Sequence, residues 1–347
     1  MNGHIREATF DDYEQVTALE TRSGLLSKPR EEWMHMWACN PTARRLPQWP
    51  IGWVYVNAHG RLAGYVGNIP LTYEFNGRAL LTATVRGWSA DPEARSRALP
   101  LLHQYFRQPA VDLYLNTTVN GFSAGPFAVF ESIPAPVGRW DRAAFWVADE
   151  RGFAAGVVPR AASLLRRPVA VGMALWSRWR SLPRAAEVQT CGGFDARFDT
   201  FWERLRQARP HVLLGARNRE TLSWHFRYAL EQGAWIALLG GAAGMTGYAV
   251  FVRRDYQAMG IKRMRLADYQ SLDCRASLDE VLAWALARCR AEGIHVLEVV
   301  GGRPRAPFHR KLPHWCFYYK TYDPALGRKL SAPGAWAPSS YDGDASL

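Results

Sequence analysis

The fold is decided by the sequence ATVRGWSADPEARSRALPLL, which occupies positions 83–102. In its first residues Ala83, Val85 and Gly87 would face one side and Thr84, Arg86 and Trp88 the other, as in a strand. Asp91-Pro92 then ends the strand, because proline fixes φ and lacks an amide donor. The apolar residues at the end of the stretch continue as a helix, and Arg95 and Arg97 stand where that helix begins. The stretch therefore predicts a strand, a tight turn and a helix in direct succession.

A helix start of this kind is a candidate site for a pyrophosphate group. The first backbone N–H groups of a helix have no partner inside it and carry partial positive charge. Arg95 and Arg97 add paired donors for phosphate oxygens. We therefore expect a phosphate-bearing ligand at this turn.

The same stretch resembles the acyl-CoA-binding motif of the GNAT (GCN5-related N-acyltransferase) superfamily. Positions 90–95, ADPEAR, match the first half of that motif, whereas Ser96, Ala98 and Pro100 stand where the family usually has glycines. Glycine lets the backbone approach a phosphate closely, so the motif is degenerate and we expect weaker coenzyme A binding. The resemblance implies that the donor is bound by Trp88, Ser89, Ala90, Arg95, Ser96, Arg97, Ala98, Leu99, Asn120 and Ser123.

The composition is that of a globular protein with excess positive charge. Apolar residues make up 48% of the 347 residues, and this length suggests about two domains. The net charge of +12 would attract phosphate-bearing cofactors, acidic carrier proteins, nucleic acid or an anionic membrane. The five cysteines form no CxxC pair and the nine histidines are dispersed, so we predict no disulfide framework and no metal site. No apolar run approaches the ~20 residues of a membrane span and no signal core is present, so we expect a cytoplasmic protein.

The elements around the arginine turn follow the order of a GNAT domain. We predict a strand at 5–9, helices at 10–20 and 29–37, a hairpin of 52–57 with 61–69, and a fifth strand at 111–116. Asn76-Gly77 predicts a second hairpin, because Asn-Gly favours a tight two-residue turn. This order resembles the superfamily more specifically than any single motif does.

A second motif follows the fifth strand, where many GNAT enzymes have Asn-x-x-Ala/Ser-x-x-x-Tyr. Asn120 and Ser123 match this pattern, and the resemblance implies that they contact the pantetheine arm. Phe127 stands where the family has the tyrosine that protonates the leaving thiolate. Phenylalanine has no ionisable proton, so another residue, a water molecule or no chemistry at all must replace that acid.

Residues 151–190 form an apolar and arginine-rich segment between the two predicted domains. The interpretation that we favour is an inter-domain helix with a solvated basic edge. A helical cover over a long acyl chain and a helix on a membrane surface remain open alternatives.

The order of elements recurs from Phe194 onwards, which predicts an internal repeat of the fold. We expect an α/β fold, an α+β mixed sheet in two tandem GNAT-like domains. Residues 1–150 hold the donor site and residues 191–347 bind the acceptor. In the second copy, Asp273 to Leu278 occupy the place of the phosphate loop, and their acid and lack of glycine should repel pyrophosphate. The acidic tail around Asp342 and Asp344 is expected to be loose, the alternative being that it folds back into a cleft between the domains.

The resemblance implies an N-acyltransferase that takes its acyl group, such as a fatty acyl chain, from acyl-CoA or from acyl-ACP, the acyl carrier protein thioester. Similar tandem proteins in bacterial gene clusters acylate an amine of a peptide side chain or an amino sugar, and a carrier protein would then be a partner. A base must take the proton of the attacking ammonium. The candidate bases are Asp268, Glu74, His103 and Asp112, and spacing selects none of them.

Two other functions remain open from the sequence. A Fem-type transferase would use aminoacyl-tRNA, but the long helical arm that such proteins often insert is not evident, so no nucleic-acid partner is expected. A catalytically inactive GNAT-like binding protein would also show missing glycines and a missing tyrosine.

Overall fold

The structure, a computed structural model, contains two mixed β-sheets with helices packed on both faces of each. It describes residues 3–178, 182–185, 187–241, 244–272, 278–301, 306–312 and 316–347. In these residues the strands are β1 (His4–Glu7), β2 (Gly52–Val56), β3 (Leu62–Phe75), β4 (Arg78–Ala90), β5 (Leu113–Val119), β6 (Ile133–Pro134), β7 (Arg142–Val147), β8 (Gln189–Cys191), β9 (Leu214–Gly215), β10 (Trp235–Gly241), β11 (Gly244–Arg253), β12 (Arg263–Ser271), β13 (Val296–Val300), β14 (Phe308–Lys311) and β15 (Cys316–Lys320). The α-helices are α1 (Tyr13–Arg22), α2 (Arg30–Ala38), α3 (Ala98–Phe106), α4 (Ala124–Val129), α5 (Glu150–Val157), α6 (Arg166–Arg178), α7 (Ala196–Ala208), α8 (Arg219–Glu231), α9 (Leu278–Ala291) and α10 (Pro324–Leu330).

The first sheet has the strand order β1-β2-β3-β4-β5-β15-β6, with β9 beside β3. Alternate residues of β3 face opposite sides, as the two-residue period of a strand requires. Tyr65 and Ile69 pack in the core beneath α1 and α2, where Trp33 is buried. Val66 packs on the other side, in a core that includes Leu102 of α3. The first sheet is thus covered on both faces.

The predicted Asn-Gly hairpin is confirmed and joins β3 to β4. Asn76 and Gly77 have φ values of 53° and 73°, which a tight two-residue hairpin turn requires. The ladder between β3 and β4 then shifts register, because one residue of β3 separates Tyr65 from Gly67 while two residues of β4 separate Arg86 from Ser89. This β-bulge leaves an extra residue of β4 out of the ladder at Gly87-Trp88.

Strands β4 and β5 are parallel but pair over only two residues. The pairs are Thr82 with Leu113 and Ala83 with Tyr114. Strand β4 continues to Ala90 and β5 to Val119, so their later residues do not pair. The first sheet therefore opens between its two central strands.

The second sheet repeats this plan, with the order β14-β7-β13-β12-β11-β10-β8. Its central parallel strands are β12 and β13, and their pairing ends where Leu266 lies opposite Val299. Buried side chains of α9 pack on one face, and those of α7 and α8 pack on the other. The predicted second phosphate loop, Asp273 to Ser277, lies outside the described residues.

The two halves of the chain exchange pieces of backbone. Strand β7, from the first 150 residues, lies inside the second sheet, whereas β9 and β15 come from the second half and join the first. The side chains of His35 and Trp224 each bond to the other's backbone carbonyl, at 2.9 and 3.0 Å. The sheets therefore interlock across the predicted domain boundary.

The last residues of the chain are folded into the molecule, so the expectation of a loose tail is wrong. Tyr341, Asp342 and Ser346 are buried. The Thr117 hydroxyl on β5 donates to the backbone carbonyl of Asp342 at 3.0 Å. Residues 339–347, which we call the tail, therefore lie against the first sheet.

Candidate functional site: an open cleft between β4 and β5

A cleft of about 480 Å³ fills the opening between β4 and β5. We call it the donor cleft. Seven of the ten residues predicted to bind the donor line it. They are Trp88, Ser89, Ala90, Arg95, Ala98, Asn120 and Ser123.

The other three predicted donor residues are outside the lining of this cleft. Arg97 places its guanidinium over the ring of Tyr55, 5.6 Å from the ring centre. Ser96 and Leu99 are exposed or half-exposed on the same turn. Arg95 and Arg97, equivalent in the sequence, therefore have different surroundings.

The arginine turn begins as a 3-10 helix, Pro92–Arg97, that runs directly into α3. Asp91 precedes it and would by itself repel a phosphate. Its carboxylate is paired with Arg22 at 3.1 Å and with Arg61 at 3.0 Å. Arg61 also pairs with Glu93 of the turn, at 2.7 Å. Because Arg22 and Arg61 together balance these two acids, Arg95 leaves the turn positively charged.

Two buried polar atoms that line the donor cleft have no hydrogen-bond partner in the described residues. They are the Nδ2 of Asn116 and the hydroxyl of Ser89. The Oδ1 of Asn116 accepts a bond from the backbone N–H of Val85 at 3.0 Å, which holds the amide between the opened strands. A buried donor without a partner is costly, and a bound ligand would remove that cost.

Phe127, at the position where the sequence resemblance implied a tyrosine, lines the cleft. Its ring meets Trp88 edge-to-face, with the ring centres 6.1 Å apart. The position therefore supplies packing and no proton.

Asp344 of the tail also lines the donor cleft. The sequence offered a tail folded back into a cleft between the domains only as the alternative, and it did not include Asp344 among the candidate bases. Its carboxylate accepts bonds from the hydroxyls of Thr117 at 3.2 Å and Thr118 at 3.1 Å. Burial raises the pKa of Asp344 above its ordinary value, although Arg86 and the two threonines oppose the shift. A carboxyl group with a raised pKa in a cleft is a candidate proton acceptor.

Arg86 of β4 also lies 4.0 Å from the carboxyl group of Glu20 on α1, which is buried. Burial raises the pKa of Glu20 as well, with Arg86 and Lys28 opposing. Glu20 is almost fully buried behind Gly87 and is not among the residues that line the cleft. Of the two carboxyl groups whose pKa Arg86 affects, Asp344 is the one that a ligand in the cleft would meet.

The four bases suggested by the sequence lie elsewhere and are not brought together. Glu74 is paired with Arg206 at 3.0 Å, and Asp112 with Arg78. The His103 ring lies 6.3 Å from that of Phe130. Asp268 is fully buried on β12. None of the four lines the donor cleft.

Asp268 belongs to a buried polar cluster that holds the tail. Arg217 donates to its carboxylate at 2.9 Å, and Tyr248 donates at 2.6 Å. Burial by itself would raise the pKa of Asp268, but Arg217 and the hydrogen bonds hold it below its ordinary value. Arg217 also lies 3.7 Å from Asp342, which accepts a bond from Tyr73 at 3.2 Å. The cluster therefore connects the second sheet, the tail and the first sheet.

The second sheet has a cleft of its own beyond the end of the β12–β13 pairing, with a volume of about 390 Å³. Asp268 and Gln270 line it from β12, and Ser339 and Ser340 of the tail from the other side. The hydroxyl of Ser340 and the indole N–H of Trp140, both buried there, have no partner in the described residues. Each sheet thus has a cleft beyond the point where a pair of parallel strands stops pairing.

In the part of the chain that the structure describes, no group of three or more His, Cys, Asp or Glu side chains is arranged to hold a metal ion.

Comparison with known proteins gives structural matches alone. No family model and no curated protein sequence matches the chain. A GCN5-related N-acetyltransferase from Anabaena variabilis aligns with a TM-score of 0.54 at 12% identity, over 92% of this chain and 73% of that one. Another GCN5-related N-acetyltransferase, from Kribbella flavida, aligns with a TM-score of 0.55 at 13% identity, over 96% and 73%. The Saccharomyces cerevisiae N-myristoyltransferase with bound myristoyl-CoA aligns with a TM-score of 0.58 at 12% identity, over 92% and 82%.

These matches confirm the predicted fold class. The chain has the mixed α/β fold of the GNAT superfamily, and the alignments extend over both sheets. At 10–13% identity the likeness concerns the fold, so function has to be argued from the site.

Proposed function

We propose that the protein is an N-acyltransferase that uses a phosphopantetheine thioester as its donor. The observation that carries this proposal is the donor cleft. It joins a positively charged helix start, an opened pair of parallel strands and a tail carboxylate in one space of about 480 Å³. A linear donor with phosphates at one end and a thioester at the other fits this succession of groups.

The phosphates would bind at the arginine turn, where Arg95 and the backbone N–H groups of the first helical turn are donors. The pantetheine arm would lie between β4 and β5, whose unpaired edges can bond to its amides as a strand would. The unpartnered amide of Asn116 and hydroxyl of Ser89 would bond to the same arm or to the thioester oxygen. The yeast N-myristoyltransferase, of similar fold, binds myristoyl-CoA, which supports acyl-CoA as the donor.

In the transfer step Asp344 would accept a proton from the acceptor ammonium. The freed amine nitrogen then attacks the thioester carbonyl carbon. The amide Nδ2 of Asn116 can donate to the carbonyl oxygen as it gains negative charge. The C–N bond forms, the C–S bond breaks, sulfur leaves as a thiolate, and the nitrogen loses its second proton to solvent as the neutral amide forms. Since Phe127 offers no proton, the thiolate takes its proton from solvent.

The finer assignments are part of the same proposal. The first sheet would bind the donor, and the second unit would present the acceptor, an amine of a peptide side chain or an amino sugar. The position of Asp344 supports this division, because the tail of the second unit supplies the carboxylate at the donor cleft. The apolar lining from Val85, Trp88 and Phe122 supports a fatty acyl group. The net positive charge suits delivery by an acidic acyl carrier protein as well as by coenzyme A.

The test of the donor site compares Arg95→Ala with Arg97→Ala by calorimetric titration with coenzyme A. Arg95 lines the cleft, and a hydrogen bond between charged groups contributes about 1.5–3 kcal/mol, so R95A should weaken binding at least tenfold. Arg97 lies over Tyr55 outside the lining and serves as the matched control, with a change below about threefold. Equal losses in both variants, or wild-type protein that binds no coenzyme A, would contradict the site.

Intact-mass analysis of peptide and amino-sugar acceptors, incubated with a set of acyl-CoA and acyl carrier protein thioesters, tests the reaction itself. The mass gained identifies the acyl group, and the acceptor that gains it identifies the substrate class. Transfer from aminoacyl-tRNA alone would replace the proposal with a Fem-type activity. Coenzyme A binding without transfer to any acceptor would indicate a binding protein.

A further inference from the structure

Helix α6 and the turn before it have apolar side chains on two opposite faces. Val169, Ala170, Met173 and Ala174 follow at helical spacing and face inward, buried or half-buried. The opposite face exposes Leu164, Leu165, Val171 and Leu175, and Trp176, also exposed, lies at the edge between the two faces. Packing against the rest of the protein explains why the first face is apolar, whereas the apolar side chains of the second face remain in contact with water.

The outward face is the densest group of exposed apolar residues in the described chain. Of the twelve large apolar side chains that are exposed among the described residues, five lie within the thirteen positions 164–176. Val171 and Leu175 are 60% and 57% exposed, one helical turn apart. A cluster of exposed apolar residues of this kind indicates a surface that contacts something other than water.

The sequence segment that carries this patch has charge of one sign. Between Glu150 and Glu187 the sequence has no aspartate or glutamate and has seven arginines, which are Arg151, Arg160, Arg166, Arg167, Arg178, Arg180 and Arg184. Arg167 is exposed beside the apolar residues. The partner of this surface should therefore be apolar within and negatively charged at its boundary.

The helix is attached to the second sheet in a defined orientation. The indole N–H of Trp176 donates to the backbone carbonyl of Pro307 at 3.0 Å. Ala174 and Ser177 line a cavity together with Trp146 of β7 and Leu286 of α9. The outward face is therefore presented by a packed helix. Among the described residues, no helix is both long enough and apolar enough to cross a bilayer.

We propose that this face of α6 binds the surface of an anionic lipid bilayer. The apolar side chains enter the boundary between headgroups and acyl chains, and the arginines reach lipid phosphates. A second copy of the chain would bring the same positive charge against this face and be repelled. A carrier protein would have to dock near the donor cleft, which lies in the first sheet, whereas α6 packs on the second. The proposal stands apart from the acyltransferase function.

Sedimentation of the full-length protein with large unilamellar vesicles tests this proposal. We expect binding to phosphatidylcholine vesicles that contain about 30% phosphatidylglycerol, and little binding to phosphatidylcholine alone. Raising sodium chloride from about 0.05 M to about 0.5 M should weaken binding, because salt screens the attraction of the arginines. The double variant Val171→Asp/Leu175→Asp should lower vesicle affinity at least tenfold, because it places two carboxylates on the face that enters the apolar part of the bilayer.

Tyr256→Asp, a change at an exposed aromatic residue far along the chain, is the matched control and should bind vesicles like the wild type. Circular dichroism and coenzyme A titration of each variant report whether the fold is kept. Absence of vesicle binding by the wild type, or equal binding by V171D/L175D, would overturn the proposal. The face would be assigned to a protein partner instead if the wild type bound no vesicles but formed a dimer, seen by light scattering, or a complex with a carrier protein, and if V171D/L175D abolished that association.

Discussion

Asp344, near the end of the sequence, acquires its chemical environment from residues in the first half of the chain. Its carboxylate is held by Thr117 and Thr118 of β5, more than two hundred positions earlier. Burial stabilises the neutral acid, which raises the pKa, while Arg86 stabilises the carboxylate. The raised pKa makes the carboxylate a better proton acceptor than an ordinary aspartate, which suits a group that takes a proton from an amine.

Asp344→Asn should lower kcat by about 10²–10⁴, the usual contribution of a general base, with little change in the Kd for coenzyme A. In the wild type, kcat/KM should rise as the pH rises through the raised pKa of Asp344, because only the carboxylate accepts a proton. The variant should lose this dependence. Steady-state rates across pH, with an acceptor identified by mass, measure both effects.

Glu231→Gln, at an exposed carboxylate of α8, is the control and should keep the wild-type profile. Glu74→Gln and His103→Ala test bases suggested by the sequence in the same assay. An active D344N enzyme together with a large loss in one of these variants would assign the base elsewhere.

At the scale of an element, β4 combines a regular ladder with a local departure from it. Its first half pairs with β3 residue by residue, and the bulge at Gly87 then turns the strand at the donor cleft. Gly87 has a φ of 74°, which side chains rarely adopt. A Cβ there would lie 2.2 Å from the Oε1 of Glu20, so the bulge and α1 fit together only around a glycine.

Gly87→Ala should therefore lower the midpoint of thermal unfolding by more than Gly60→Ala does. Gly60 has a similar φ of 76°, but no atom lies within 4 Å of the position that a Cβ would take, so it isolates the backbone cost of about 1–2 kcal/mol. The additional loss in G87A, from contact with Glu20, should exceed about 1 kcal/mol. Calorimetry of both variants measures this difference.

The added substitution Glu20→Ala should recover part of this loss. Equal midpoints for G87A and G60A would show that α1 moves aside freely.

At the scale of the whole molecule, the two halves are joined through shared strands and through one buried polar cluster. Arg217 and Asp268 are 1% and 0% exposed, and Asp342 of the tail lies beside them. Their partners come from the second sheet, the tail and, through Tyr73, the first sheet. Loss of one member would leave an unpaired charge in the interior.

Asp268→Asn should cost about 3–5 kcal/mol of stability at neutral pH, since Arg217 is left buried without its main partner. The pKa of Asp268 is lower in the folded protein, so its stabilisation is present above the unfolded pKa and is lost as the pH falls through the folded value. The difference between variant and wild type should therefore shrink below about pH 4. Denaturant unfolding at several pH values measures this difference in stability.

The exposed pair of Arg227 and Glu231 is the comparison, and E231Q should cost less than about 1 kcal/mol. A comparable loss in E231Q, or a pH-independent loss in D268N, would contradict this account.

Much of the fold followed from local patterns, and the candidate site followed only in part. The Asn-Gly hairpin, the strand before the arginine turn and the helix after it depend on residues close together in the sequence, so their prediction succeeded. The same patterns led to seven of the residues that line the cleft. The difference between Arg95 and Arg97 escaped prediction, because it depends on Tyr55, which β2 brings to the turn.

By itself the sequence determined the strand, turn and helix of residues 83–106, the repeated order of elements and the excess of arginine, because these depend on neighbouring residues and on composition. Tertiary structure alone decided that β7, β9 and β15 exchange between the halves and that the tail reaches the donor cleft. It also decided that Arg86 acts electrostatically on Asp344, while the carboxylate of Asp268 is paired with Arg217. Backbone pairing and burial bring together residues that are hundreds of positions apart, and no local pattern records such contacts.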